Sequence, residues 1–225
     1  MSSRPVVALL GDDRGHRSHQ ELNALRPMLD VDTTWVPTDS AFTITDYDGV
    51  WLVPGSPYAD DAAVLRALTT IRERGIPFLG TCGGMQYAVV EIVRTVLGEQ
   101  ATHAESDGEA ADNVVTALAC SLDGEERLVT PVAGSRFAGW VREPFVGMHF
   151  CSYAPTPAVS SRLEGIGVVV GATADDAGAE VLELPDHPFY VMTMFQSHVG
   201  ALAGGPVHPL VRAFTDAVRA TTVGA

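Results

Sequence analysis

The stretch IPFLGTCGGMQYAVVEIVRTV, residues 76–96, decides the fold. Its first part, 76–80, is a short apolar run typical of a buried strand, and residues 84–97 carry apolar side chains at helical spacing. Between them GTCGG, residues 80–84, has the form of a nucleophile flanked by small residues at a strand-to-helix turn. Such a turn strains its middle residue and presents that side chain at the carboxyl edge of the sheet, where open α/β sheets bind ligands. The pattern therefore predicts Cys82 as a nucleophile.

The predicted surroundings of Cys82 favour a reactive thiolate. A helix beginning near Gly84 would point its N-terminal dipole at the thiol and lower the thiol pKa. The backbone N–H of Gly83 is placed to bind an oxyanion. A buried structural cysteine beside a glycine turn is the alternative interpretation. The agreement of strand, glycines and helix favours the nucleophile, whereas Cys120 has no such context and is predicted to be inert.

Outward from this turn, apolar runs alternate with helical patterns. Buried strands are predicted at 6–10, 31–36 and 49–53, and helices at 20–29 and 60–74. This rhythm predicts an α/β fold with a mostly parallel central sheet covered by helices on both faces. In the second half we predict strands at 114–118, 126–129, 168–172, 179–184 and 190–195, the last three with antiparallel pairing, and helices at 160–165 and 208–220. Residues 103–113 are predicted to be a surface loop, 133–144 have no clear pattern, and one domain over 1–225 is expected.

Composition excludes several classes of function. Apolar residues make up 46% and charged residues 19%, as in ordinary globular proteins. The net charge of −14 would repel nucleic acid, and no apolar stretch is long enough for a membrane span. The three cysteines, Cys82, Cys120 and Cys151, are sparse and lack metal-ligand spacing. We therefore expect a cytoplasmic protein without disulfides, metal or cofactor.

Residues 76–96 resemble the nucleophile region of class I glutamine amidotransferases, in particular the amidotransferase domain of CTP synthase, which reads I-P-x-L-G-I-C-L-G-M-Q. The resemblance continues at DGVWLVPG (48–55), LELPDHPFYVMTMF (182–195) and HPL (208–210), and it is poor over 104–147. It implies a flavodoxin-like α/β fold with an antiparallel extension to the sheet. CTP synthase also carries a synthetase domain that consumes the ammonia, so we expect this chain to be a stand-alone amidotransferase-like domain.

The residues to which this resemblance assigns catalysis differ here from the family pattern. The family takes its histidine and glutamate from a Phe-His-Pro-Glu segment, which corresponds to FQSH at 195–198. Gln196 occupies the histidine position, and an amide cannot act as a general base. His198 occupies the glutamate position and is the expected general acid–base, because it can titrate near neutral pH. An exposed loop histidine is the alternative interpretation of His198.

The implied substrate pocket is also changed. The family arginine that binds the α-carboxylate of glutamine corresponds to Ser152, within MHFCSY at 148–153. Three implied pocket residues remain: Gln86 as a glutamine contact, Glu105 as the acid for the substrate ammonium, and Gly55 as the glycine of the oxyanion loop. Without the arginine, the carboxylate would lose charge-assisted hydrogen bonds worth roughly 1.5–3 kcal/mol each.

Three functions follow from this pattern. We favour a cysteine enzyme that hydrolyses or transfers an amide or other C–N group of a small molecule that is not glutamine, with Gly55 and Gly83 as oxyanion donors and His198 as proton carrier. The second is a glutaminase that supplies ammonia to a separate synthetase subunit, with His149 or His198 in place of the missing base. The third is a non-catalytic relative that binds a metabolite or a partner. A homodimer is left open.

Overall fold

The computed structural model describes residues 4–175 and 178–223, in which strands and helices alternate as the sequence predicts. The strands are β1 Val6–Leu10, β2 Asp32–Val36, β3 Gly49–Leu52, β4 Phe78–Thr81, β5 Thr102–His103, β6 Asn113–Ala117, β7 Glu125–Pro131, β8 Phe145–His149, β9 Tyr153–Pro155, β10 Val169–Ala174, β11 Gly178–Glu183 and β12 Tyr190–Thr193. The α-helices are α1 Arg17–Leu25, α2 Asp61–Arg74, α3 Gly83–Thr95, α4 Ala104–Asp107, α5 Arg136–Trp140, α6 Pro157–Glu164 and α7 Pro209–Val223. Short 3-10 helices lie at Arg26–Met28, Ile44–Asp46 and Ala201–Ala203.

One nine-stranded sheet organises the molecule, in the order β2-β1-β3-β4-β12-β11-β10-β7-β8. The first five strands are mutually parallel. The remaining pairs are antiparallel, as predicted for the strands near 168–195. Because β1, β3, β4 and β12 run in the same direction, the segments that follow them meet at one edge of the sheet. The predicted α/β fold with an antiparallel extension is confirmed.

Helices cover both faces of the sheet. One apolar layer packs α2, α3 and α6 against residues such as Ala8 and Leu10 of β1. The opposite layer packs α1, α5 and α7 against the alternate residues Val7 and Leu9. Since both faces of β1 are buried, its sequence reads as a continuous apolar run.

Glycines allow α3 to approach the sheet closely at its first turn. A Cβ atom on Gly84 would lie 2.3 Å from the carbonyl oxygen of Leu52 in β3. A Cβ atom on Gly80 would lie 2.9 Å from the carbonyl oxygen of Gly84. The small residues at these two positions are therefore required for packing as well as for the turn itself.

The second half of the chain differs from the prediction in several places. Residues 103–113 are not one surface loop, because the His103 ring accepts a hydrogen bond from the Glu105 N–H (3.2 Å) and caps α4. Strands β5, β6 and β9 form a small second sheet. Residues 133–144 contain α5, which Ser135 caps by accepting a hydrogen bond from the Ala138 N–H at 3.1 Å. The edge strands β8 and β9 were not predicted.

Candidate active site

Cys82 lies between β4 and α3 in a strained backbone conformation. Its φ of 54° and ψ of −110° make it the one non-glycine residue with positive φ in the described part of the chain. The Cys82 N–H donates to the Thr193 carbonyl at 2.7 Å, and the Cys82 carbonyl accepts from the N–H groups of Met85 and Gln86 at 3.0 and 3.1 Å. The conformation is therefore held by β12 on one side and by the first turn of α3 on the other.

A cavity of about 410 Å³ opens beside the Cys82 side chain. Its walls come from the segments that follow β1, β3 and β12, from α3 and α4, and from the turn between β8 and β9. The wall after β1 carries basic and imidazole side chains, which are Arg14, His16, Arg17 and His19. Two acids, Glu105 and Asp123, lie among the other lining residues. The cavity thus presents charges of both signs to a small polar ligand.

Backbone nitrogens converge next to the sulfur. The position that a Cβ atom on Gly83 would occupy is 3.2 Å from the Ser56 nitrogen and 3.4 Å from the Gly55 nitrogen. Gly55 has φ +135°, which side-chain-bearing residues rarely adopt. The Gly83 N–H also hydrogen-bonds the Cys82 thiol. These N–H groups are suited to stabilising an oxyanion formed by attack of the sulfur.

A second thiol contacts Cys82. The Cys82 Sγ lies 3.9 Å from the Phe150 carbonyl oxygen, and the next residue, Cys151, lines the same cavity. The hydrogen bond from Cys151 is the main cause that lowers the pKa of the Cys82 thiol, against the opposing effect of burial, with further lowering by Gly83 and Gln196. The same hydrogen bond, together with burial, raises the pKa of Cys151 well above its usual range. The pair therefore favours a Cys82 thiolate beside a protonated Cys151.

Gln196 faces the sulfur where the family has its histidine. Its side chain lines the cavity and helps to lower the pKa of the Cys82 thiol, and its backbone N–H donates to the Met148 carbonyl at 2.8 Å. Neither amide atom has a hydrogen-bond partner among the described residues. Gln196 is thus placed to orient the thiol or a ligand, but it cannot accept a proton near neutral pH.

His198 is not placed as a proton carrier at Cys82. It is 1% exposed, does not line the cavity, and its Nε2 lies 2.9 Å from the Ser18 hydroxyl oxygen. Its ring packs edge-on against Trp51, with the ring centroids 5.7 Å apart. Burial, with a smaller effect of His19, lowers the pKa of His198 to about 3, so the ring is neutral at pH 7. The alternative of an exposed loop histidine is wrong as well, because the turn after β12 folds back into the core.

His149 lies behind the cavity rather than in it. It is 0% exposed, and its two ring nitrogens lie 2.9 Å from a carboxylate oxygen of Glu180 and 3.1 Å from the Gly147 carbonyl. Both nitrogens are therefore occupied, and neither is free to take a proton from Cys82. His149 does not line the cavity, whereas the next four residues, 150–153, do.

The remaining predicted pocket residues do line the cavity. The Gln86 amide nitrogen donates to the Tyr153 carbonyl at 2.7 Å, and the Gln86 Oε1 lies 2.9 Å from His103 Nε2. The carboxylate of Glu105 accepts a hydrogen bond from the Ser56 hydroxyl at 2.6 Å. Ser152, where the family has its arginine, is exposed and shares a hydrogen bond of 2.9 Å with another serine, Ser121.

Sequence reasoning missed the segment after β1. His19 donates from Nε2 to the Pro54 carbonyl at 2.8 Å and accepts the Arg14 N–H at Nδ1 at 3.0 Å. This ring joins the segment after β1 to the loop after β3, and Arg14 and Arg17 line the cavity beside it. The sequence does contain a signal for this wall of the cavity. The polar segment GDDRGHRSHQ, residues 11–20, directly follows a buried parallel strand, and ligands bind at the carboxyl ends of such strands.

Comparison with known proteins identifies the family. Residues 15–129, just over half of the chain, match the family model for glutamine amidotransferase class-I. The CTP synthase of Archaeoglobus fulgidus is 30% identical over 203 residues, which cover 80% of this chain and 37% of that protein. The CTP synthase of Natronomonas pharaonis is 31% identical over 198 residues, which cover 81% and 36%. The chain thus spans under two fifths of the length of these relatives.

Solved structures agree with the fold. The glutaminase domain of Trypanosoma brucei CTPS, solved with bound acivicin, superposes with a TM-score of 0.76 at 21% identity, covering 96% of this chain and 94% of that one. A glutamine amidotransferase from Thermotoga maritima gives a TM-score of 0.61 at 13% identity, covering 99% and 87%. In the described residues no helix is long and apolar enough to cross a membrane. The chain belongs to the class I glutamine amidotransferase family.

Proposed function

We propose that this protein is an amidotransferase-like cysteine enzyme that cleaves an amide of a small molecule other than free glutamine. One observation carries the proposal. The strained Cys82 places its sulfur in a cavity beside the backbone nitrogens of Gly55, Ser56 and Gly83, so a nucleophile and an oxyanion site lie together.

The proposed reaction has two covalent stages. The Cys82 thiolate attacks the amide carbonyl, and the N–H groups of Gly55, Ser56 and Gly83 stabilise the tetrahedral oxyanion. The C–N bond then breaks, and the departing nitrogen takes a proton from the Cys151 thiol, the proton donor at the sulfur. Water then attacks the thioester carbonyl and gives a proton to the Cys151 thiolate, the C–S bond breaks, and the carboxylic acid leaves with Cys82 again a thiolate. His198 orients Ser18 in this scheme and does not exchange a proton with the substrate.

The charges in the cavity support a substrate that differs from glutamine. The family position for a carboxylate-binding arginine holds Ser152, so a carboxylate there would lack its cation. Arg14 and Arg17 line instead the wall after β1, where Arg14 donates to the Pro57 carbonyl at 2.7 Å and Arg17 pairs with Glu21 at 3.0 Å. An anionic group of the substrate would therefore bind toward α1, and the cavity of about 410 Å³ limits the substrate to a small molecule.

A panel of small amides tests the proposal. The protein is incubated with millimolar amides that carry carboxylate or phosphate groups, with glutamine included, and the released ammonia or amine is measured. We expect turnover of at least one amide other than glutamine, and its loss in Cys82→Ala. Turnover that survives Cys82→Ala would contradict the proposed role of the sulfur. No turnover of any amide would favour the non-catalytic, ligand-binding alternative.

A glutaminase subunit that feeds a separate synthetase is the second candidate function. Its support is the similarity to CTP synthases, together with Gln86 and Glu105, which remain in the cavity. The solved relative with bound acivicin carries the name of a glutaminase domain. Robust ammonia release from glutamine, with no other amide turned over, would establish this candidate in place of the first.

A further inference from the structure

Two of the three cysteines line the cavity. Cys82 and Cys151 both line it, and each is 5% exposed. The Cys82 Sγ lies 3.9 Å from the carbonyl oxygen of Phe150, and that carbonyl carbon is bonded to the Cys151 nitrogen. Cys120 is exposed and does not line the cavity. The fold therefore brings residues that are 69 positions apart into contact and leaves the third thiol outside.

The two thiols have different pKa values. Cys151 hydrogen-bonds the Cys82 sulfur, which lowers the pKa of Cys82 and raises that of Cys151. The carboxylate of Glu180, which pairs with His149 at 2.9 Å, raises the pKa of Cys151 further. The Cys82 sulfur is thus favoured as the thiolate at the cavity, and its neighbour Cys151 retains the proton.

We propose that Cys82 and Cys151 form a redox site in which a small hydroperoxide oxidises Cys82 and Cys151 then closes an intramolecular disulfide. This activity is separate from amide cleavage and needs no amide substrate. The chemical class of the oxidant follows from the site: the cavity admits small polar molecules, and its backbone N–H groups can stabilise the oxygen anion that leaves a peroxide.

The reaction balances in three steps. The Cys82 thiolate attacks one peroxide oxygen, the O–O bond breaks, and the sulfur becomes a sulfenic acid while the alkoxide or hydroxide takes a proton. The Cys151 sulfur gives up its proton and attacks the Cys82 sulfur, so the S–S bond forms and hydroxide leaves as water. The sulfur pair has then lost two electrons and the peroxide has gained them. An external dithiol returns both electrons and restores the two thiols.

The geometry explains why Cys151 would act only after Cys82 is oxidised. Cys151 keeps its proton while a thiolate lies beside it, because the hydrogen bond and the negative charge both favour the protonated form. Conversion of Cys82 to a neutral sulfenic acid removes that charge. Cys151 then deprotonates more readily next to an electrophilic sulfur, which captures the sulfenic acid before further oxidation.

Thiol counting and peptide mapping test this proposal on the full chain. The reduced protein is treated with a small excess of hydrogen peroxide, alkylated, digested and analysed by mass spectrometry. We expect the count of free thiols to fall from three to one, with a linked Cys82–Cys151 peptide and an alkylated Cys120. Dithiothreitol should return the count to three. In Cys120→Ser, which lies outside the cavity, the same linked peptide is expected.

The variant Cys151→Ser separates this proposal from its alternatives. It should leave Cys82 as a sulfenic acid that dimedone traps, and continued peroxide should oxidise it irreversibly. Dimedone labelling of Cys82 in the wild-type protein without a linked peptide would overturn the proposal, as would disulfides that involve Cys120. Because no amide is needed, an inactive amidohydrolase that still closes the disulfide would refute the proposed function alone.

Discussion

The Ser18 hydroxyl oxygen lies 2.9 Å from Nε2 of His198, and Ser18 lines the cavity whereas His198 does not. His198 therefore reaches a bound ligand only through Ser18. The family resemblance implies acid–base groups in the segment after the final strand, and the histidine of that segment in this chain is buried against Ser18 and Trp51.

The first prediction concerns His198. His198→Gln retains a hydrogen-bonding partner for Ser18 but cannot titrate near neutral pH, so amide turnover should stay within about tenfold of the wild-type value. A general acid–base residue would instead cost roughly 10²–10⁴ in rate. Ser18→Ala is the matched control, because it removes the same contact from the cavity side. A loss of the larger size in His198→Gln, with Ser18→Ala unaffected, would return the acid–base role to His198.

Gln196→His restores an imidazole beside the Cys82 sulfur. Because the Gln196 side chain already lowers the pKa of Cys82, an imidazolium there should stabilise the thiolate and lower the thiol pKa further, by about one unit or more. The rate of iodoacetamide labelling of Cys82, measured against pH, should shift to lower pH by that amount. Gln196→Asn serves as the uncharged control. An unchanged profile in Gln196→His would show that residue 196 does not act on the sulfur.

The packing of α3 on the sheet predicts a stability effect at Gly84. A Cβ atom there would lie 2.3 Å from the Leu52 carbonyl oxygen, so Gly84→Ala forces α3 away from β3. The free energy of unfolding in urea should fall by about 1–3 kcal/mol, the usual cost of overpacking, or more. Gly139→Ala in α5 is the control, since nothing lies within 4 Å of its new methyl group. Equal stabilities of the two variants would contradict the close approach.

Two buried histidines, His103 and His198, and the half-buried His208 predict a loss of stability in acid. Burial lowers the pKa of His198 to about 3 and those of His103 and His208 to about 4, from an ordinary value of 6.5. Below pH 6.5 these histidines become protonated in the unfolded chain but stay neutral in the folded chain. The free energy of unfolding therefore falls as the pH drops from 6.5 toward 4. Each such group contributes a slope of about 1.4 kcal/mol per pH unit in that window.

The variant His208→Asn isolates one of these groups. In the wild-type protein His208 Nδ1 accepts a hydrogen bond from the Leu210 N–H at 3.2 Å, at the start of α7. The asparagine side chain can accept the same hydrogen bond but cannot take up a proton. Urea unfolding between pH 4 and pH 7 should therefore show a shallower slope than the wild-type protein. An identical slope would mean that His208 is not buried in its neutral form.

Local patterns predicted the parallel half of the fold and the sharp turn that holds Cys82. Strands such as β1 are buried on both faces and read as apolar runs, and the glycines that flank Cys82 indicate the sharp turn locally, even though Gly84 packs against the distant Leu52. The edge strands β8 and β9 carry no such signal, because only some of their side chains are buried. The contact between Cys82 and Cys151, and the burial of His198, arise from long-range packing that no local pattern encodes.

The labelling order of Cys82 and Cys120 tests the central claim most directly. Cys82 is 5% exposed and Cys120 is exposed, so accessibility alone would make Cys120 react first. If Cys82 is an activated thiolate, limiting iodoacetamide near pH 7 should alkylate Cys82 well before Cys120, and the preference should vanish in denaturing urea. Mass spectrometry of the tryptic peptides gives both rates in one experiment. Labelling of Cys120 first, or equal labelling of both in the folded protein, would contradict the assignment of Cys82 as the nucleophile.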